Sequence, residues 1–175
     1  MPTPTDVLRA EHQVILIALT SLDTAAARLA AGHEPPAGWW ERAIDFLRSF
    51  ADRNHHAKEE QLLFPALVQA GVPSEGGPVG VMLAEHEQGR ALIRAMAAGG
   101  DAAERAGAAR RYVALLREHI AKEDGVLWPM AESVLDDRVT RALAREFEAV
   151  EARQGTSASL EHAEATVKEL ERALG

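Results

Sequence analysis

Apolar residues recur along most of this 175-residue chain three and four positions apart, the period of an α-helix rather than a strand. Leu8, Ile15, Leu16, Leu19, Leu22 and Leu29 make the first stripe. It predicts a helix from a cap at Thr5 or Asp6 to about Ala31, broken by the Gly/Pro stretch Gly32 to Gly38. A second stripe, Ile44, Leu47, Ala51, Leu62 and Leu63, predicts a helix over about Trp39 to Ala70, ended by the loop Gly71 to Pro78. Met82, Leu83 and Ile93 mark a third helix, about Val79 to Ala98, closed by Gly99 and Gly100. The fourth begins at a good cap residue, Asp101, and runs past Pro129 to about Leu135, with Tyr112, Leu115, Leu116, Val126, Leu127 and Met130 on one face. Two shorter helices follow, about Asp137 to Arg153 and, after a break at Gly155, Thr156 and Ser157, a last one to Leu174.

Four long helices with short connections predict an all-α fold, an up-down-up-down four-helix bundle with extra C-terminal helices. The expectation is one domain over 1–175, with the bundle at about 5–135 and accessory helices at about 137–174 that pack outside it and carry no chemistry. Pro65 and Pro129 fall inside helical stretches, so a kink or a local helix end is expected at each.

Polar residues inside the stripes change this picture. His12 lies within the first stripe, His55 and Glu59 within the second, His86 and Arg90 within the third, His119 and Glu123 within the fourth. The arrangement is duplicated. Leu8-Arg9-Ala10-Glu11-His12 is answered by Met82-Leu83-Ala84-Glu85-His86, and His55 through Glu59-Glu60 to Phe64-Pro65 by His119 through Glu123-Asp124 to Trp128-Pro129. In this register His56 matches Ile120 and falls about 100° from His55, beside Asp52, Arg53 and Glu60, which leaves it a fallback ligand if the second helix is rotated. Residues four apart on a helix stand one above the other, so each His-x-x-x-Glu pair can grip a metal from one side. A lone core histidine has an ordinary explanation in a hydrogen-bonded partner. Two buried carboxylates and four imidazoles on converging faces need several independent partners, and a metal pair satisfies them together.

Composition narrows the chemistry. There is no cysteine, so disulfides, thiolate zinc sites and iron–sulfur clusters are excluded and any metal must be held by nitrogen and oxygen. The net charge of −8 comes from 27 acids against 19 scattered bases, which argues against a nucleic-acid partner. The N-terminal residues from Met1 to Asp6 lack the basic and apolar blocks of a signal peptide, and no run was expected to reach the roughly 20 apolar residues of a membrane span. The expectation is a cytoplasmic protein with no membrane partner.

The order His, His-x-x-x-Glu, His, His-x-x-x-Glu, with its Glu-His openings and Lys-Glu-Glu-x-x-Leu-Phe-Pro run, resembles hemerythrin-like proteins, the HHE cation-binding domain family. The resemblance covers about Asp6 to Leu135. It implies an oxo- or hydroxo-bridged pair of iron ions inside a four-helix bundle, with His12, His55, Glu59, His86, His119 and Glu123 as ligands; zinc or manganese are alternatives for such donors. Oxygen-carrying members have a further histidine four residues after the third-helix ligand, where this chain has Arg90, which cannot ligate. Two six-coordinate irons offer about twelve positions, and the donors with an oxygen bridge fill about ten. The open positions imply a peroxide or small diatomic ligand, O₂ or NO, and a possible peroxide- or NO-reactive oxidoreductase; the alternative is a non-catalytic O₂ or iron carrier, sensor or store. A ferritin-like enzyme fits less well, because those bundles use Glu-x-x-His with carboxylates in excess.

Around the centre, Tyr112 is either a neighbour of an open position or a core tyrosine with a paired hydroxyl. Glu60 and Asp124 are either partners of the ligating imidazoles or surface charges. Gly89 either leaves room for a small ligand or allows close helix packing. Phe64 and Trp128 are expected to cap one end of the bundle, Trp39 and Trp40 the other. His33 and His162 are expected on the surface.

Overall fold

The computed structural model describes residues 2–156 and 159–175; Ser157, part of the predicted break, lies outside the described residues. The described residues contain helices and no strand. There are six: α1 (Pro4–Ala30), α2 (39–69), α3 (Pro78–Ala97), α4 (102–134), α5 (Asp137–Gln154) and α6 (Leu160–Leu174). These lie within a few residues of the boundaries that the stripes predict.

The cap of α1 is Thr3, not Thr5 or Asp6. The Thr3 hydroxyl accepts from the Asp6 N–H while the Asp6 carboxylate accepts from the Thr3 N–H, a reciprocal pair that uses Asp6 three residues inside the helix. Asp101 caps α4 as predicted, accepting from the Glu104 N–H. Neither Pro65 nor Pro129 ends its helix. The chain widens to a π-helical turn just before each, at Glu59–Leu63 and Glu123–Leu127, and the α-helix resumes with the proline in its first turn. A proline that starts a new α-helical stretch has no intrahelical N–H to lose.

A third π-helical stretch, Leu47–His56, runs up to the histidines of α2, and the Ala57 N–H reaches the carbonyl of Asp52 five residues back. Such widened turns concentrate at functional sites. They also reduce the angular step per residue, so neighbouring side chains spread less around the axis. Both His55 and His56 are buried here, against the expectation that His56 would face away from the core.

α1 packs along α4, α4 along α3, and α2 contacts both α1 and α3. The apolar side chains form two clusters. One gathers Ile15, Leu19, Trp39, Phe50, Ala51, Ile93 and Leu116; the other gathers Leu8, Leu63, Met82, Leu127 and Trp128. On α1, α2 and α3 the metal-ligand candidates lie in sequence between these two clusters, and on α4 Glu123 does, with His119 beside Ile120 at the edge of the first. A buried polar layer therefore separates two apolar cores.

The C-terminal helices are part of these cores rather than outside them. Ala163, Val167, Leu170 and Leu174 of α6 join the first cluster, where the Trp39 indole N–H donates to the Leu170 carbonyl at 3.0 Å. Leu143 and Phe147 of α5 join the second. Two stripe assignments fail: Val126 is 55% exposed and Leu83 is also exposed. Val126 sits inside the π-helical turn before Pro129, where a regular 3.6-residue count misplaces it. α1 is long and apolar enough to cross a membrane by length and composition alone, contrary to expectation, because its many Ala residues and few charges extend the Leu/Ile stripe; half of that window is buried inside the protein.

Candidate metal centre

Glu59 and Glu123 stand at the middle of the polar layer, each on the His-x-x-x-Glu step of its helix and each fully buried. The two oxygens of Glu59 face different histidines: Oε1 lies 3.2 Å from Nε2 of His55, Oε2 3.3 Å from Nε2 of His86. Glu123 repeats this, with Oε1 3.3 Å from Nε2 of His119 and Oε2 3.2 Å from Nε2 of His12. The six residues singled out by the duplicated motif therefore converge.

The far side of every imidazole is held by a carboxylate. Nδ1–H of His12 donates to Asp124 at 2.8 Å, His55 to Glu11 at 2.8 Å, His86 to Glu60 at 2.7 Å and His119 to Glu85 at 2.9 Å. An ionised carboxylate only accepts, so Nδ1 carries a proton and Nε2 turns inward, where it can ligate once it is unprotonated, the arrangement that orients a ligating histidine. Glu60 and Asp124 thus partner imidazoles rather than being free surface charges. Glu11 and Glu85 do so too, although stripe analysis gave them no role. Their signal was present in the duplicated Glu-His openings. Each half of the repeat supplies acids for histidines of more than one helix.

Two lysines back the acids. Lys58 donates to both Glu11 and Glu151, and Lys122 donates to Glu85. The two are equivalent in the repeat but not in setting: Lys58 is fully buried under α5, whereas the side chain of Lys122 is 42% exposed. Glu151 thus links α5 to the ligand shell through Lys58 and Glu11, so a helix expected to carry no chemistry supports the site.

Arg90 contributes no ligand. It ties together Asp52 at 2.8 Å, Glu60 at 2.7 Å and Glu87 at 2.6 Å. The Tyr112 hydroxyl is buried and makes no hydrogen bond, so it is not the paired core tyrosine that was one of its two readings. A Cβ added at Gly89 would lie 3.5 Å from the Tyr112 ring and 3.6 Å from Leu116, an ordinary contact, so the packing of α3 on α4 does not itself require glycine there. Trp128 lies nearly parallel to His12 with ring centres 6.1 Å apart, and Phe64 to His86 at 5.9 Å, so these aromatics wall the site at the end they were expected to cap. Trp39 and Trp40 are buried in the other core. His33 and His162 are exposed, as predicted.

Charge balance inside the layer is tight. Burial works against an imidazolium at His55, yet the Glu59 charge and the Glu11 hydrogen bond lift it to about 10. Burial likewise opposes His86, and contacts with Glu59 and Glu60 lift it to about 9. Burial opposes ionisation of Glu59 too, but the charge of the facing His55 holds it well below the usual carboxylate range. His56 goes the other way: burial and the neighbouring His86 charge push it well below the usual imidazole range.

The donor set fits metal ions. All four oxygens of Glu59 and Glu123 are buried without a well-formed hydrogen bond, as is Nε2 of His12. Leaving five buried polar atoms in that state is costly. Two ligands held about 2.1 Å from one cation at roughly right angles stand about 3.0–3.2 Å apart. The inward Nε2–oxygen separations of 3.2–3.3 Å are close to that spacing. Two buried groups of donors, each within 4.8 Å of one another, can each surround an ion: His12, His55, Glu59 and Glu123, and His56, His86, His119 and Glu59. Glu59 belongs to both.

Three mycobacterial proteins are similar to this chain over nearly its whole length. An uncharacterized protein of Mycobacterium bovis and two of Mycobacterium tuberculosis are each 30% identical to this chain over 181 residues, covering 98% of it and 70% of the relative. No solved structure matches the chain. The hemerythrin HHE cation-binding domain model matches residues 3–131, a span that contains every donor named above. The chain belongs to the hemerythrin HHE cation-binding family.

Proposed function

We propose that this protein holds a non-haem pair of iron ions at His12, His55, Glu59, His86, His119 and Glu123, and uses it to bind or react with O₂, peroxide or NO. The observation that carries this reading is the pair of carboxylates, Glu59 and Glu123, each buried with both oxygens directed at imidazoles of two different helices. A carboxylate so placed could offer one oxygen to each of two cations. The reading takes the four long helices as an up-down-up-down bundle in a single domain over 1–175, working in the cytoplasm with a small-molecule ligand and without nucleic acid or membrane.

When bound, an iron pair would supply a redox-active Lewis-acid centre for small oxygen or nitrogen ligands. The chain's own residues do the rest. His12, His55, His86 and His119 bind through Nε2 while Asp124, Glu11, Glu60 and Glu85 lock their rings. Glu59 and Glu123 balance the cationic charge. The apolar cores above and below, with Trp128 and Phe64 at the wall, keep bulk water from the layer. Imidazole nitrogens balanced by only two carboxylates suit iron better than a purely acidic cage does.

The test is to load the protein anaerobically with ferrous iron and then add O₂, hydrogen peroxide or NO separately while recording visible spectra and gas exchange. Catalytic consumption of peroxide or NO supports an oxidoreductase. Reversible O₂ uptake without turnover supports a carrier or sensor instead. Failure to retain iron removes both.

A further inference from the structure

We propose that His56 is a fifth imidazole ligand of the metal pair, on the side of His86 and His119. The inference rests on the metal reading above and makes the two halves of the centre unequal.

A nitrogen of His56 lies within 4.8 Å of donor atoms of Glu59, His86 and His119, in a group whose four residues are all buried. His56 is only 4% exposed, and its ring stacks on that of His86 with centroids 3.8 Å apart and planes 16° from parallel. The stacking places the two rings side by side in the buried layer, and the donor spacing within 4.8 Å is what puts both within reach of one cation. The other four imidazoles each have a carboxylate behind Nδ1, and His56 has one too: Asp52 Oδ1 lies 3.4 Å from its Nδ1. That contact lacks hydrogen-bond geometry and leaves Nδ1 unpartnered, so the ring is not held in place by Asp52 alone. Arg90 fixes Asp52 from behind and holds Glu60, the acid behind His86, with the same guanidinium. The arginine that stands one turn after His86 thus anchors the acids behind two stacked histidines rather than ligating.

The duplication breaks at this point. The counterpart of His56 is Ile120, a buried apolar residue. One cation position is therefore surrounded by His56, His86, His119 and Glu59, the other by His12, His55, Glu59 and Glu123. The π-helical stretch Leu47–His56 is what lets consecutive histidines of one helix both reach the layer.

The experiment is an anaerobic ferrous titration of the full chain and of His56→Gly, followed by metal content, affinity for each iron and X-ray absorption. The wild type is expected to bind two irons with scattering from five imidazoles. In His56→Gly the weaker iron loses more than about 100-fold in affinity, beyond the about 10–100-fold range seen when a group only orients a ligand. Free imidazole restores it by filling the vacated position, which a merely structural role does not allow. Two irons in the wild type with scattering from four imidazoles overturn the proposal, and this arm needs no variant to fold. So does a His56→Gly protein that binds both irons within about tenfold of the wild type. A wild type that takes up no iron overturns the metal reading itself, a result distinct from these.

Discussion

The Nε2 atoms of His86 and His119 stand 3.1 Å apart, facing each other across the buried layer between α3 and α4. Each ring already gives its Nδ1 proton to an acid, Glu60 and Glu85. Two neutral rings so held would point lone pair at lone pair. A proton or a metal ion must lie between them, so protons and metal compete for one place.

That competition has a sign. With His55 lifted to about 10 and His86 to about 9, both imidazoles of the metal-free protein are protonated at neutral pH. Metal ligation requires them neutral, and His12, opposed by burial, is raised as well by Asp124 and Glu123, so binding should release protons at pH 7. Calorimetry in buffers of different ionisation enthalpy measures this directly. The metal-free fold has the linked behaviour: raised imidazoles contribute stability that is complete below about pH 6.5 and is lost as pH rises through 9 to 10. Denaturant midpoints of the metal-free protein should fall over that range. Metal retention should change in the opposite sense, decreasing as pH falls, and iron kept through long dialysis near pH 4 would contradict the ligand set.

Removal of a bridging carboxylate should be worse than removal of a supporting one. Glu59→Ala and Glu123→Ala each take a donor from two histidines' worth of contacts and should empty the site. Glu60→Ala and Asp124→Ala leave the ligands in place but free one ring, which costs about 10–100-fold in metal affinity. Metal analysis after gel filtration orders the four variants, and the reverse order means that the side chains assigned as bridges are not ligands.

The equivalent lysines should behave differently. Lys58→Met removes a fully buried cation that joins Glu11 to Glu151, and should cost about 3 kcal/mol of stability. Lys122→Met removes a half-exposed one from Glu85 and should cost less than about 1 kcal/mol. Urea denaturation of the metal-free proteins compares them, and equal losses would mean that the cover of α5 contributes nothing to the site.

Much of this site was legible from periodicity. The positions of His12, His55, Glu59, His86, His119 and Glu123 inside apolar stripes follow from a 3.6-residue count, and His55, although inside the widened stretch Leu47–His56, keeps the buried face that the count assigns it. Their partners were not legible in the same way. Glu11, Glu85 and Lys58 look like surface charges in any single helix, and only the packing of one helix on another shows which histidine each acid meets. His56 was misplaced for a local reason: the regular count assumes a uniform turn, and the widened turn of Leu47–His56 violates it. Val126 fails on the same ground. The role of Glu151 needed the docking of α5, which depends on side chains as far apart in sequence as Leu8 and Phe147.

Gly89→Ala should be tolerated. The added methyl meets Tyr112 and Leu116 at ordinary contact distances, and a helical Ala is favoured over Gly by about 1 kcal/mol. The variant should keep its metal and melt at the same or a higher temperature. Loss of metal would show instead that the open space at Gly89 belongs to the site.

Anomalous diffraction from crystals of the iron-loaded protein, recorded at the iron absorption edge, tests the central claim most directly. Two strong peaks between the carboxylates of Glu59 and Glu123, each within about 2.0–2.2 Å of its nearest nitrogen and oxygen donors, are the predicted result. A layer without iron, or iron bound only at surface acids away from those two carboxylates, would contradict it.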